Sequence, residues 1–358
     1  MDKTKLVIVN QIQFGYLIDN YYYCKYLRDE YEIIYICWDH KLPEIEMSGI
    51  RILYVNREGN FLIRTRRFLK HVFKELTDES AIVFNPYFKG VSLVLKLCRP
   101  KNSIVLDIRT GSVNSKQIKR KIDDWRLKFE TMFFSNVTVI SESLARKLNI
   151  ADKAHILPLG ADTISSTDKR FESLNLLYVG TLYNRKMEIT LEGFKQFYAE
   201  FGDRIQITYT IIGGGPDKEE NILRDIVSEY GLSDIIKVKG PVSHDLLAPF
   251  FDASNIGISY VPLTDYFDVQ PVTKTFEYIL SGMPVIATRT LENKRVVNHD
   301  MGVLIGDTAE DFYSGLKVIY ENRALFESAN IRNSCVDYTW RNIVLNNLQP
   351  YLKMLSKS

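Results

Sequence analysis

The chain has 358 residues, with 46 Lys and Arg against 44 Asp and Glu for a net charge of +2, and 46% of its residues are hydrophobic. That is chain enough for about two domains with a core each, in the balance of a soluble globular protein, which excludes a disordered segment or a nucleic-acid-coating protein. Cys24, Cys37, Cys98 and Cys335 fall in no Cys-x-x-Cys or Cys/His pattern and read as free thiols of a reducing compartment.

Met1-Asp2-Lys3 leads directly into an apolar strand, which leaves no room for a signal peptide, and no run reaches the length of a membrane span. The expected location is cytoplasmic. Charge is uneven along the chain: residues 1–165 carry 26 Lys and Arg against 19 Asp and Glu, and residues 166–358 carry 20 against 25. Much of the positive excess lies in two helix-like segments. One places Arg64, Arg66, Arg67, Lys70 and Lys74 around Phe61, Leu69 and Phe73, and the other places Lys116, Lys119, Arg120, Lys121, Arg126 and Lys128 around Ile118, Ile122, Trp125 and Phe129. Such faces are either solvated or a peripheral contact with an anionic membrane surface, here the inner face of the plasma membrane.

In chain order, Lys5–Asn10 predicts a buried strand, followed by a loop with Gly15 and Tyr16 and a helix through Tyr21, Leu27 and Tyr31. Further strands are expected at Glu32–Cys37, Ile50–Val55, Ala81–Asn85 and Ser103–Asp107, separated by helical or irregular sequence. Alternating β and α elements predict a doubly wound parallel sheet, in which ligands bind beyond the carboxyl ends of the strands. Gln11–Tyr16, Asn85–Tyr87 and Asp107–Ser112 stand there. Asp107 and Arg109 are either acceptor-side chemical groups or an ion pair that fixes the loop.

Val137–Ser141 predicts another strand, and Ile156-Leu157-Pro158-Leu159-Gly160-Ala161-Asp162 a strand with a Gly-x-Asp turn. The polar stretch Ile164–Glu172 has no apolar period and reads as a linker. The divisions expected are 1–165, 166–337 and a terminal helix at 338–358. Leu174–Gly180 opens the second domain, with a cationic loop at Arg185 and Lys186 before a helix Ile189–Phe201. Ile205–Ile212 runs into Gly213, Gly214 and Gly215, where backbone can approach a ligand closely. The spacing is not that of a dinucleotide fingerprint.

Tyr260–Thr288 carries most chemistry. An irregular loop gives way at Thr273 to a helix with Phe276, Ile279 and Leu280 at helical spacing, Ser281-Gly282 stops it, and Pro284–Ala287 follows as a buried strand. The helix start points unpaired N–H groups at the loop, Lys274 stands beside them, and Glu277 one turn on can accept hydrogen bonds from vicinal hydroxyls. Together they suit a nucleoside diphosphate attached to a sugar.

Glu277 followed by Ser281-Gly282-Met283-Pro284-Val285-Ile286-Ala287 resembles the donor signature of the retaining GT-B glycosyltransferases, glycosyltransferase family 4 (glycosyl transferases group 1), and Pro271-Val272-Thr273-Lys274 resembles its Pro-Thr-Lys variant in capsule and exopolysaccharide transferases. The resemblance implies an α/β protein of GT-B fold, two Rossmann-like domains facing across a cleft, with a terminal helix crossing back to the first. It implies an enzyme that moves a sugar, with retention and without a metal or cofactor, from a nucleotide-diphosphate sugar to a saccharide or lipid-linked acceptor in polysaccharide or cell-envelope synthesis. Arg185, Lys186 and Asp107 would be catalytic. Gly180, Gly213, Gly214, Gly215, Asp268, Thr273, Lys274 and Glu277 would bind the donor, and Gly15, Tyr16 and Arg109 would lie on the acceptor side.

The sequence departs from the family pattern at Val269, the first carboxylate position, beside Asp268, at Val272, where the family has its loop glycine, at Thr181, the Arg position before the cationic loop, and at Asp107, where a His is common. A catalytically silent nucleotide-sugar-binding or partner-binding protein, and a GT-B epimerase, are the alternatives.

Overall fold

The computed structural model describes residues 3–112, 114 and 116–356. Two compact units form, one of the chain up to Leu159 joined by the stretch from Trp340 onward, the other of Gly160–Thr339.

The first unit holds seven parallel strands, β1 (Thr4–Asn10), β2 (Tyr31–Asp39), β3 (Ile50–Asn56), β4 (Ile82–Pro86), β5 (Ser103–Ile108), β6 (Asn136–Val139) and β7 (Ala154–Ile156), in the order β3-β2-β1-β4-β5-β6-β7. Chain order reverses between β1 and β4. Leu6 to Val9 are fully buried because helices cover both faces, and that makes the strands continuous apolar runs. Two expectations shift. The first helix is Ile18–Leu27, and Tyr31 opens β2, its ring buried in the sheet layer. The strand expected around Ile156–Pro158 ends at Ile156, since Pro158 has no N–H for a ladder.

The last 17 described residues complete this unit. Trp340–Ile343, Val344–Leu348 and Gln349–Leu355 follow one another as α, π and α segments. Pro350 in an α-helix would crowd the carbonyl four residues back; instead the turn before it widens and the Gln349 N–H donates to Val344 O. Trp340 stacks on Tyr22 with centroids 5.3 Å apart and meets Tyr23 edge-on at 6.2 Å.

The second unit repeats the plan with six parallel strands, β8 (Leu174–Val179), β9 (Ile207–Ile212), β10 (Ile236–Gly240), β11 (Ile256–Ser259), β12 (Val285–Thr288) and β13 (Gly302–Ile305), in the order β10-β9-β8-β11-β12-β13. Here the order reverses between β8 and β11. The stretch 164–172, read from sequence as a linker, is tied onto this unit: Ser165 Oγ donates to Asp252 at 2.6 Å and the buried Lys169 Nζ donates to the Phe251 carbonyl at 2.6 Å. Its polar residues lack an apolar period because the side chains it buries, Ser165 and Lys169, are polar and held by hydrogen bonds. Among the described residues no helix is long and apolar enough to cross a membrane.

Candidate functional site

In a doubly wound sheet the strands flanking the reversal of order diverge at their carboxyl ends and leave a crevice. In the second unit that crevice lies beyond β8 and β11 and holds a cavity of about 330 Å³. Its lining comes from the end of β8 (Gly180), the loop after it (Arg185), His244, and the loop and first turn of the helix Thr273–Leu280.

Close backbone approach builds the floor. Gly213 has φ +148°, and a Cβ there would lie 1.8 Å from the Gly180 carbonyl oxygen, so the ends of β8 and β9 meet at a distance no side chain permits. Gly180 has φ +149°, and its missing Cβ leaves room for Lys274 Nζ, which would stand 2.8 Å from it. Val179 N–H donates to the buried Tyr278 hydroxyl at 2.8 Å, which ties the helix to the end of β8.

Two basic side chains enter this space without a carboxylate at ion-pair distance among the described residues. Lys274 Nζ lies 3.6 Å from the centroid of the Tyr178 ring and has no hydrogen-bond partner among the described residues. Burial first, and the nearby Arg185 charge second, hold its pKa well below the usual lysine value. The Arg185 guanidinium lies 4.2 Å from the Phe267 centroid, and its buried Nε also lacks a partner. Aromatic faces hold both cations but accept no hydrogen bond of carboxylate strength. The first-turn N–H groups of the Thr273–Leu280 helix add partial positive charge on the same side. The cavity is therefore shaped and charged for an anion with several acceptor oxygens.

Glu277 gives the opposite polarity deeper along the helix. Its Oε1 lies 3.6 Å from His244 Nε2, and this contact, more than burial opposes it, raises the pKa of His244. The cavity thus offers basic groups beside the helix start and a carboxylate with a histidine one turn further along.

Of the residues singled out from sequence, Gly180, Arg185, Thr273, Lys274 and Glu277 line this cavity. Gly213–Gly215 stand behind it, where the Gly214 carbonyl accepts from Leu182 N–H at 3.1 Å. Lys186 is exposed in a left-handed turn at φ 51° and is outside the lining, and Asp268 uses Oδ1 to accept from Leu291 N–H at 2.8 Å. Val269 is buried. Tyr178 and Phe267, which hold the cations, carry no signal in the sequence beyond being aromatic. His244 ends the Gly240–His244 segment that follows β10, which resembles the family's base-pocket segment, and its contact with Glu277 singles out the side chain.

The remaining residues belong to the first unit. Asp107, at the end of β5, is fully buried: Oδ1 accepts from Thr138 Oγ1 at 2.8 Å, and Oδ2 has no partner among the described residues. Burial raises its pKa to about 6, against the pull of Arg109. Arg109 pairs with Asp19 at 2.6 Å and donates to the Leu157 carbonyl at 2.6 Å. Gly15 turns the chain at φ +86°, and the Tyr16 hydroxyl donates to the Pro43 carbonyl at 3.0 Å.

Residues 173–322 match the family model described as glycosyl transferases group 1, and this span contains the whole cavity. A comparison with curated protein sequences gives no match. Among solved structures, sucrose-phosphate synthase from Thermosynechococcus elongatus aligns at 18% identity over 99% of this chain and 100% of that one, with a TM-score of 0.77. A glycosyltransferase from Rickettsia africae aligns at 13% identity over 100% of both chains, with a TM-score of 0.74. Alr3699/HepE from Anabaena, in complex with UDP and glucose, aligns at 12% identity over 99% of this chain and 100% of that one, with a TM-score of 0.74. At such identities the likeness establishes the fold: two Rossmann-like parallel-sheet units of the GT-B type.

Proposed function

We propose that the protein is a retaining, metal-independent glycosyltransferase that moves a sugar from a nucleoside-diphosphate donor to a saccharide or lipid-linked acceptor in cell-envelope polysaccharide synthesis. The observation that carries the reading is the pair of basic side chains that meet no carboxylate among the described residues, Lys274 with its Nζ buried and Arg185 with its Nε buried, at a helix N-terminus inside the span that matches the group 1 family model. The departing diphosphate gathers negative charge as the glycosidic bond breaks. Lys274, Arg185 and the helix N–H groups stand ready for that charge in a site that excludes much of the water, and that lowers the barrier without rearrangement. Glu277 accepts hydroxyl hydrogen bonds of the donor, displacing His244. The acceptor then attacks the face from which the diphosphate leaves, and a phosphate oxygen takes its proton.

Binding should also move a proton. A diphosphate beside Lys274 restores the charged ammonium, so donor binding takes up a proton and weakens as pH rises between the two pKa values. Calorimetric titration of UDP and other nucleoside diphosphates in buffers of different ionisation enthalpy should show that uptake in the native protein and not in Lys274→Met. Transfer assays with a nucleotide-sugar and acceptor panel, read for anomeric configuration by NMR with and without EDTA, should show a retained product insensitive to the chelator. Inversion of the anomer, or equal nucleotide affinity in Lys274→Met and the native chain, would overturn the reading. Donor turnover with no acceptor would favour an epimerase.

A further inference from the structure

One polar group in the wall of the second unit's cavity has no part in holding the diphosphate or the ribose. Gln270 lines the cavity, and its Nε2 is buried with no hydrogen-bond partner among the described residues. A buried amide N–H without an acceptor costs free energy, so the side chain is not kept for the stability of its own loop. Gln13 in the first unit shows what a structural glutamine does: it is 1% exposed, its Nε2 donates to the Leu42 carbonyl at 2.8 Å, and its Oε1 accepts from His40 N–H at 2.9 Å.

The loop around Gln270 is already closed by its backbone. Asp268 N–H donates to the Thr264 carbonyl at 2.9 Å and Gln270 N–H to the Phe267 carbonyl at 3.3 Å. Asp268 uses its carboxylate on Leu291 N–H and Val269 is buried, and both are outside the cavity lining, to which Pro271 and Val272 add apolar groups. Among residues 268–272, Gln270 is therefore the side chain that brings a hydrogen-bonding group to the cavity wall. It differs from the carboxylate expected at the neighbouring position: Nε2 donates where a carboxylate only accepts, and the amide adds no charge beside a diphosphate.

The order of groups along the lining indicates what Nε2 meets. Glu277, with His244, stands one turn inside the helix Thr273–Leu280, and Lys274 stands at its start. Arg185 lies against Phe267 of the loop that leads into this start, and Gln270 follows in the same loop, ahead of Thr273. Carboxylate, cationic helix start and amide thus succeed one another. A nucleotide sugar has its vicinal ribose hydroxyls, diphosphate and transferred sugar in the same succession. With the ribose on Glu277 and the diphosphate on the helix start, the sugar falls on the loop side, against Gln270.

We infer that Gln270 is a specificity-determining residue of the donor site, its Nε2 donating to an oxygen substituent of the transferred sugar. The inference rests on the transferase reading and narrows its substrate. A hydroxyl, acyl carbonyl or carboxylate oxygen at that place answers the amide. A deoxy sugar, or a free amino sugar with an ammonium group there, leaves it buried and unpaired and is rejected.

The test is calorimetric titration of the full-length native chain, Gln270→Met and Gln270→Glu with UDP, GDP and ADP, and with UDP-glucose, UDP-N-acetylglucosamine, GDP-mannose and ADP-glucose. The readout is the affinity for each nucleotide sugar relative to its free diphosphate in the same protein, which cancels effects on the nucleotide alone. The highest ratio found in the native chain should fall about tenfold in Gln270→Met, and should stay low in Gln270→Glu, which keeps the shape but cannot donate. Free diphosphate should bind Gln270→Met as it binds the native chain. Ligand-free Gln270→Met should melt no lower than the native chain, since Met removes an unpaired donor at similar volume. An equal ratio in the native chain and Gln270→Met would overturn the inference and leave the nucleotide site standing. A native ratio in Gln270→Glu would overturn the donation, and a lower melting temperature of Gln270→Met would make the residue a brace of the loop. Absence of diphosphate binding in the native chain would remove the transferase reading, and this inference with it.

Discussion

Asp107 shows how far the environment of one residue escapes its sequence. In Leu106-Asp107-Ile108-Arg109 the carboxylate reads as a group at a strand end, open to a ligand. In the structure it is sealed, with one oxygen unpartnered, and burial raises its pKa from 3.8 to about 6. The neutral form is therefore favoured by folding: its stabilising contribution is full below pH 3.8 and is lost as pH rises through 6. Asn keeps the acceptor for Thr138 and never ionises. The stability of Asp107→Asn relative to the native chain should therefore rise between pH 4 and 6.5 and then level, by up to about 3 kcal/mol at 1.36 kcal/mol per pKa unit. Denaturant titrations across that range check it, and a difference flat with pH would mean that Asp107 titrates normally. In the second unit, Lys274 and Glu277 were legible because their loop, helix and strand are local in sequence. Tyr178 and Phe267 were not, because their role depends on packing between segments about ninety residues apart.

At the scale of elements, the helix Thr273–Leu280 begins and ends where Thr273 and Ser281-Gly282 predict, with Gly282 at φ +75° closing it. What holds that helix at the right height is non-local. The Tyr278 hydroxyl accepts the Val179 N–H, and Gly257 on β11 leaves space for its ring, where a Cβ would come within 2.3 Å. Tyr278→Phe should leave a buried N–H without a partner, cost about 1–3 kcal/mol and shift the end of β8 that carries Gly180. The expected outcome is a lower melting temperature of the second unit together with weaker nucleotide binding, and unchanged binding would mean that the tie positions nothing. The terminal helix illustrates the converse. Its apolar positions predicted one continuous helix, and the widened turn before Pro350 was invisible because hydrophobic period is insensitive to a single five-residue turn.

For the whole molecule, alternation of short apolar runs with helical segments was enough to reveal the doubly wound sheet of the first unit, since every parallel strand must be buried on both faces, while the second sheet of the same plan was expected from the family resemblance. The strand order and the cavity were not readable, because they depend on which strands become neighbours. Trp340 links the tail to the first unit: it is 2% exposed and packed on Tyr22 and Tyr23. Trp340→Ala should destabilise that unit by about 3–5 kcal/mol and leave the second unaffected. Scanning calorimetry should show one of two transitions moving down; a shift of both would mean that the units unfold together.

That tail also sets an order of events during synthesis. The seven strands of the first unit leave the ribosome early, but the helix that covers Tyr22 and Tyr23 is encoded after all of Gly160–Thr339. At about 5–20 residues per second, those strands wait roughly 10–40 s for their last layer. The domain made second is thus the first that can close, and the newborn N-terminal half passes through a period of exposed aromatic surface in which chaperones have the most to protect.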